Sequence, residues 1–265
     1  MCLPAAVVLL LAQTVAESPA QLLADAEAHL RAGQFREARS TAMRLLNVDR
    51  YHPAALKLKG NAEYFLGEYD QSMSTFVTLL DHHPNDEEGA YMLGRIYYQE
   101  GRIDQAIGQL ERSLRLNPKS YRAWDNLGLC WEALGDNDKA ISHFLKSIRV
   151  AETEAPDYDW AYANLADLLL KMGDADRAFA AASKAAKRNP NSARNFYVGA
   201  KALYKLDKTD LCLNWLERAA SLDPNYSEVQ FLLARVYREI SRPEDAERAK
   251  KRFLELKARE PSKRR

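Results

Sequence analysis

One spacing recurs along this chain and limits what it can fold into. A glycine, or a small polar residue in its place, returns at intervals of 34, 34, 34, 38, 34 and 34 residues. The positions are Gly33, Gly67, Gly101, Gly135, Gly173, Asp207 and Ser241. A fixed period of this length is typical of chains built from stacked copies of one supersecondary unit. The spacing therefore predicts seven similar repeats in a row.

The composition favours helices in each repeat. Leucine and alanine are abundant, whereas runs of valine, isoleucine and threonine are scarce. Hydrophobic residues make up 47% and charged residues 28% of the chain, as in ordinary folded domains. The 38 basic and 37 acidic residues leave a net charge of +1, so no global field draws the chain to nucleic acid or anionic lipid.

The residue types around each glycine recur as well. The fourth repeat carries Trp124, Leu127, Gly128, Trp131, Gly135, Ala140 and Phe144. The third carries Leu93, Gly94, Tyr97, Gly101, Ala106, Leu110 and Pro118. In these residues the chain resembles the tetratricopeptide repeat family, whose pattern is W-x2-L-G-x2-Y, then A-x3-F, then P. The resemblance covers residues 19–260 and implies an all-α, right-handed α-solenoid of seven helical hairpins. The repeats are predicted near 19–52, 53–86, 87–120, 121–158, 159–192, 193–226 and 227–260.

Each residue type in the pattern has a physical role. The glycine supplies the left-handed backbone that ends the first helix of a repeat. Small residues such as Gly128 and Ala140 let helices approach closely, and large ones such as Phe144 fill the gaps between hairpins. Cys130 and Cys212 are predicted to be small core residues. Prolines such as Pro118 stop the second helix.

The 38-residue interval predicts one longer helix. The fourth repeat has Glu152 where a proline is due, and Pro156 follows four residues later. Four residues are about one helical turn. The second helix of this repeat is therefore predicted to run one turn further, through Ala151–Ala155.

Residues 1–16 have the features of a signal peptide. Leu3 to Ala12 gives ten apolar residues, which suit a signal-peptide core but fall short of the ~20 needed to span a bilayer. No Lys or Arg precedes them, and the alternative is an uncleaved first helix packed on the rest. The chain is predicted to be exported, to a periplasm or the extracellular space, with a cytoplasmic location as the alternative. Residues 261–265 form a basic tail.

The sequence predicts no catalytic activity, cofactor or metal. No Ser-His-Asp or Cys-His set can be proposed, and the three cysteines form neither a CxxC pair nor a disulfide framework. His82 and His83 lie in a turn with Asp81, Asp86 and Glu87, but adjacent histidines rarely converge on one ion. The glycines follow the repeat and form no phosphate-binding loop.

The resemblance implies a concave groove lined by the first helices of successive repeats. Carrying over the family's groove positions predicts a partner-binding set: Lys57, Asn61, Tyr64, Tyr91, Arg95, Tyr98, Arg122, Trp160, Arg194, Tyr197, Lys201, Tyr204, Lys205, Arg235 and Arg238. The sixth repeat places three cations and two tyrosines on one helix face with no acid among them. Aromatic residues and arginine are typical binding anchors. An extended anionic segment could pair with these cations while its apolar groups lie on the tyrosines.

Some members of the family hold a carboxylate with a clamp of Lys and Asn, then Asn, then Lys and Arg. Lys57 and Asn61 match the first pair, but Met92 stands at the next Asn position. Arg122 can stand for Lys, and Asn126 replaces the last cation. A full carboxylate clamp is therefore not predicted.

These observations predict a scaffold that binds a protein or an extended peptide and has no catalysis of its own. Two alternatives stay open: an accessory subunit that presents substrates to a separate enzyme, and a structural or self-assembling module. Nucleic-acid binding is the weakest alternative because the total charge is near zero.

Overall fold

A computed structural model describes residues 17–259, and within this range the chain forms fourteen α-helices and no strand. The helices are α1 (Pro19–Arg31), α2 (Phe35–Leu46), α3 (Pro53–Phe65), α4 (Tyr69–His82), α5 (Glu87–Gln99), α6 (Ile103–Leu116), α7 (Tyr121–Ala133), α8 (Asn137–Glu154), α9 (Trp160–Lys171), α10 (Ala175–Arg188), α11 (Ala193–Lys205), α12 (Thr209–Leu222), α13 (Ser227–Glu239) and α14 (Pro243–Arg259). The all-α prediction is confirmed, and each predicted repeat range contains two helices. The predicted signal peptide and the basic tail lie outside the described residues.

The helices fall into two compact units. The N-terminal unit holds residues up to 96 and the C-terminal unit those from 97 onwards, so the boundary lies within α5. In the N-terminal unit, consecutive helices from α1 to α4 pack on one another and α1 also contacts α3. In the C-terminal unit, α7–α8, α9–α10, α11–α12 and α13–α14 form hairpins, and α9 packs on both α7 and α11. No helix between residues 17 and 259 is long and apolar enough to cross a membrane.

The turn inside each repeat uses left-handed backbone, as predicted. At Gly135 φ is 80°, and the amide of the next residue, Asp136, donates to the Trp131 carbonyl over 2.9 Å. This bond satisfies a carbonyl that the helix end would otherwise leave unpaired. Asp207 and Ser241 stand in for glycine with φ of 55° and 57°. A side chain at such a φ costs about 1–2 kcal/mol.

We expect the Ser241→Gly substitution to raise the free energy of unfolding by about 0.5–1 kcal/mol. Relief of the left-handed strain outweighs the greater freedom that glycine gives the unfolded chain. Thermal and denaturant unfolding of both proteins would measure the change. A Ser221→Gly variant is the control, because Ser221 lies inside α12, where glycine should destabilise.

Small residues on the first helix of a hairpin face large rings on the second. A Cβ atom built on Gly60 would lie 2.7 Å from the Phe76 ring. The same atom on Gly128 would lie 2.4 Å from the Phe144 ring. Phe76 and Phe144 are fully buried. The absence of a side chain at these glycines therefore allows the two helices of each hairpin to pack closely.

The longer interval lengthens α8, as predicted. α8 has 18 residues, against 14 in each of α4, α6, α10 and α12. It ends at Glu154, and the loop that follows brings Tyr158 and Asp159 towards the interior. Asp159 is buried and accepts a 2.6 Å hydrogen bond from Asn195 Nδ2 of α11. The loop thus supplies one side chain, Tyr158, that bonds within the fourth repeat, and one, Asp159, that joins the fifth repeat to the sixth.

Candidate functional site

Helices α9, α11 and α13 of the C-terminal unit line a cavity of about 580 Å³, here called the tyrosine cavity. Its lining residues are Asp167, Leu170, Lys171, Tyr197, Lys201, Tyr204, Lys205, Asp207, Phe231, Leu232 and Arg235. Five residues of the predicted partner-binding set meet here: Tyr197, Lys201, Tyr204, Lys205 and Arg235. Whether they bind a partner stays a prediction.

Helical spacing explains why α11 turns these side chains to one side. Tyr197, Lys201, Tyr204 and Lys205 recur at intervals of three, four or one residues, so they share a face of the helix. Val198 and Ala202 lie on the other face and are buried in the core. The burial of the apolar face therefore fixes the direction of the polar one.

The α11 face carries no acid of its own, but an acid of the neighbouring helix α9 pairs with two of its cations. Asp167 of α9 accepts from Arg194 Nη2 at 2.9 Å and from Lys201 Nζ at 2.7 Å. Two cations therefore share one carboxylate, which holds them in place and neutralises part of their charge. Lys201 lies one repeat, 34 residues, from Asp167. That spacing was a signal in the sequence that this acid and this cation would face each other.

The two tyrosines of the cavity are held differently. The Tyr197 ring packs on Tyr226, with 5.1 Å between ring centroids, and its hydroxyl has no hydrogen-bond partner among residues 17–259. Burial raises the Tyr197 pKa to about 12, so the hydroxyl keeps its proton at neutral pH. The Tyr204 hydroxyl donates to Glu239 and accepts from Arg235 Nη2 at 2.9 Å. Tyr197 thus offers an available donor, whereas Tyr204 is occupied.

Three cations beside the cavity keep their charge available. Lys205, Arg235 and Arg238 are exposed, and none of them has an ion pair within the part of the chain that the structure describes. The walls of the tyrosine cavity carry four cations and two acids. The local potential there is therefore positive, although the whole chain is nearly neutral.

A second cavity of about 410 Å³ opens between α13 and α14 and is here called the phenylalanine cavity. It is lined by Phe231, Ala234, Arg235, Arg238, Lys250, Phe253 and Leu254. Phe231 and Arg235 line both cavities, so the two cavities adjoin each other. This site was not identified from the sequence, because the sequence does not show which apolar residues of α14 stay exposed. Leu256 is buried, but Leu254 is 56% exposed.

The remaining predicted residues of the C-terminal unit lie elsewhere. Tyr98 lines a third cavity of about 460 Å³ together with Glu132, Lys171 and Arg194. Burial, followed by the nearby Glu132 charge, raises the Tyr98 pKa. Arg194 lies 5.2 Å from the centre of the Trp160 ring, which is 55% exposed.

Arg122 is exposed at the start of α7 and does not line any of these three cavities. Its guanidinium lies 5.5 Å from the centre of the Tyr121 ring, and its Nε donates to the Tyr121 hydroxyl over 3.3 Å. The side chain therefore packs along its own helix.

Two predicted aromatic residues of the N-terminal unit are not free to contact a partner. Tyr64 and Tyr91 are each only 8% exposed, which corrects the expectation that they present open rings. The Arg95 guanidinium covers them, at 4.6 Å and 5.7 Å from the two ring centres, and Arg95 Nη2 donates to the Tyr64 hydroxyl. These rings therefore stabilise the unit itself.

Lys57 and Asn61, which match the first pair of the carboxylate clamp, already contact two acids of the protein itself. Lys57 Nζ lies 3.3 Å from Glu88 and 3.4 Å from Asp86, and Asn61 Nδ2 donates to Glu88 over 3.3 Å. Burial lowers the pKa of Lys57, but the two carboxylates outweigh it and leave that pKa raised. An incoming carboxylate would have to displace these acids.

A buried polar network centred on Asp125 joins three repeats. Asp125 is 2% exposed and accepts from the Tyr158 hydroxyl at 2.6 Å and from Asn164 Nδ2 at 3.0 Å. Asn164 Oδ1 accepts in turn from Arg194 Nη2 at 2.8 Å. Burial raises the Asp125 pKa to about 6, against the lowering effect of these hydrogen bonds and of the Arg194 charge. The Asp125 side chain therefore lies inside the unit.

The residues considered for metal binding or redox chemistry have structural partners. His82 stacks on Tyr51, with 3.5 Å between ring centroids, and His83 Nε2 lies 2.7 Å from the Tyr51 carbonyl oxygen. No group of three or more metal-binding side chains occurs between residues 17 and 259. Cys130 and Cys212 are buried, as predicted, and burial raises the pKa of each thiol to about 12.

Comparison with protein families agrees with the helical hairpins. The model described as Tetratricopeptide repeat matches residues 23–90 and 91–159, which is just over half of the chain. The chain belongs to the tetratricopeptide repeat family. A model described as Anaphase-promoting complex, cyclosome, subunit 3 also matches residues 148–219. No curated protein matches the sequence.

Solved tetratricopeptide structures share the fold at low sequence identity. The chain is similar to one in the APC/C hetero-tetramer Cut9-Hcn1, with 21% identity, a TM-score of 0.75, 83% of this chain covered and 43% of that one. It therefore spans less than half of that protein. A tetratricopeptide repeat protein from Parabacteroides merdae gives 22% identity and a TM-score of 0.67, covering 82% of this chain and 84% of that one. Pseudomonas aeruginosa pilF gives 19% identity and a TM-score of 0.67, with 82% and 97% covered.

Proposed function

We propose that this tetratricopeptide protein is a non-catalytic scaffold whose C-terminal unit binds an extended, acidic segment of a partner protein in the tyrosine cavity. Tetratricopeptide proteins are generally protein-interaction scaffolds, and the proposal gives that role a place and a chemistry. One observation carries it: the Tyr197 hydroxyl of α11, unpartnered among the described residues, lines the same cavity as two cations without an ion pair there, Lys205 of α11 and Arg235 of α13.

The charges of the cavity favour an acidic segment over a neutral or basic one. Asp167 is already shared by Arg194 and Lys201, so it has little capacity left for a basic ligand. Lys205 and Arg235 have no such partner among the described residues and can pair with carboxylates. A hydrogen bond to a charged group contributes about 1.5–3 kcal/mol.

The aromatic residues supply the rest of the contact. Tyr197 and Phe231 present ring surface to the cavity, and the Tyr197 hydroxyl can donate to a backbone carbonyl of the bound segment. The Tyr226 ring holds the Tyr197 ring, and the Asp167 carboxylate holds Arg194 and Lys201, before a partner binds. Preorganisation of this kind lowers the entropy cost of association.

A double substitution tests this assignment without removing core volume. Tyr197→Phe with Lys205→Gln keeps the ring and most of the lysine side-chain length but removes the free hydroxyl and the free charge. Peptides selected by the full-length chain from a random display library should be enriched in Asp and Glu. We expect the double variant to bind them about ten- to a hundredfold more weakly, because it loses one hydrogen bond and one ion pair. Fluorescence anisotropy would give the dissociation constants.

The matched control is Tyr237→Phe with Lys208→Gln, which makes the same chemical changes outside both cavities. It should bind the selected peptides like the unmodified protein. Equal affinity of the two double variants, or selection of peptides without an excess of acidic residues, would show that the tyrosine cavity is not the binding site proposed.

A further inference from the structure

We propose that the phenylalanine cavity is a second subsite, which holds a large apolar side chain of the same acidic segment. This inference rests on the proposed function and adds to it a sequence requirement for the partner. The recognised segment should combine acidic residues with a phenylalanine or leucine.

The phenylalanine cavity has exposed apolar side chains on both of its helices. Phe231 of α13 is 49% exposed and Leu254 of α14 is 56% exposed. The Phe231 and Phe253 rings lie 5.3 Å apart between centroids, so they form one apolar wall. The cavity volume, about 410 Å³, is within the range of about 300–1,000 Å³ that is usual for ligand sites.

The charges around this wall select the kind of occupant. Three cations line the cavity, Arg235, Arg238 and Lys250, and its lining residues include no acid. Lys250 has one acidic neighbour, Glu247, at 3.4 Å on the exposed surface, and the two arginines have no ion pair within residues 17–259. An apolar side chain of the partner could pack on the two phenylalanine rings, while carboxylates beside it form ion pairs with the cations.

Two other occupants fit these charges less well. The chain's own last residues, Pro261 to Arg265, include Lys263, Arg264 and Arg265, which the cations of the cavity would repel. A second copy placed symmetrically would bring the same three cations face to face. An acidic partner segment has neither problem, and it can continue from the tyrosine cavity across the shared Phe231 and Arg235.

Two synthetic peptides test the subsite with the full-length chain. Both carry the same acidic residues, and they differ only in having phenylalanine or serine at one position. We expect the unmodified protein to bind the phenylalanine peptide about ten- to a hundredfold more tightly, as burial of one large apolar side chain implies. Leu254→Glu should abolish this preference, because it replaces an apolar side chain that lines the cavity with a negatively charged one. Arg238→Glu should weaken the binding of both peptides.

Leu211→Glu is the matched control, because Leu211 is 50% exposed on α12 and lines neither cavity. It should keep the full preference. If the unmodified protein binds both peptides equally, the subsite is wrong while the tyrosine cavity stands. If it binds neither, the proposed function fails as well. Sedimentation that shows a dimer in the unmodified protein and a monomer in Leu254→Glu would identify a second copy as the occupant and overturn the inference.

Discussion

The Gly128→Ala substitution should lower the free energy of unfolding by about 1–3 kcal/mol, although alanine is the better helix former. A Cβ atom at this position would lie 2.4 Å from Cε1 and 2.5 Å from Cδ1 of Phe144. The Phe144 ring is fully buried and has little room to move, so α7 and α8 must separate. Gly128→Leu should cost more for the same reason.

Gly108→Ala is the matched control for this prediction. Gly108 lies inside α6, and a Cβ atom there would meet no other atom within 4 Å. This substitution should stabilise the protein by about 0.5–1 kcal/mol through helix propensity alone. Denaturant unfolding followed by circular dichroism would measure both variants. A lower free energy of unfolding for Gly128→Ala and a higher one for Gly108→Ala would show that packing decides the result at Gly128. If Gly128→Ala also raised the free energy of unfolding, this would contradict the close contact between α7 and α8.

The Asp125→Asn variant should gain stability relative to the unmodified protein as the pH rises from 4 to 7. Burial raises the pKa of Asp125 from 3.8 to about 6, so between these values the folded state holds a proton that the unfolded chain has released. The contribution of Asp125 to stability is therefore largest below about pH 4 and falls as the pH rises through 6. Asparagine cannot ionise and lacks this dependence.

The size of this change in stability follows from the shift in the Asp125 pKa. A difference of about two pKa units corresponds to about 3 kcal/mol, at about 1.4 kcal/mol per unit. At pH 4 more than half of the unfolded chains have already released this proton, so the unfolding free energy of the variant minus that of the unmodified protein should rise by about 2 kcal/mol between pH 4 and pH 7. In this difference, the contributions of the titratable groups that both proteins share cancel. A constant difference across the range would mean that Asp125 titrates at its ordinary pKa, and that the Tyr158 and Asn164 hydrogen bonds offset its burial.

The sequence was most informative where the structure depends on local properties. The glycine spacing located the left-handed turns, and it identified Asp207 and Ser241 as their substitutes. The late Pro156 indicated that α8 would be one turn longer, which is correct. These features follow from backbone sterics and helix propensity, which act within a few residues.

The sequence was least informative where function depends on which side chains meet. It placed Tyr64 and Tyr91 among open groove residues, but Arg95 covers both. It showed no acid among the cations of α11, but it did not show that Asp167 from the preceding repeat pairs with two of them. The family numbering gives the face on which a residue lies. It does not give the length and charge of the neighbours that cover it.

The repeat and its hairpins were thus determined by the sequence alone, because turn conformation and helical periodicity are encoded in short stretches of the chain. The tertiary structure alone decided which cations keep a free charge and which rings stay open. Those properties depend on atoms brought together from positions about one repeat apart, as with Lys201 and Asp167, which are separated by 34 residues. Ion pairing and burial act over a few ångströms in space, so only the packed helices show which tyrosine, lysine and arginine side chains remain available to a partner.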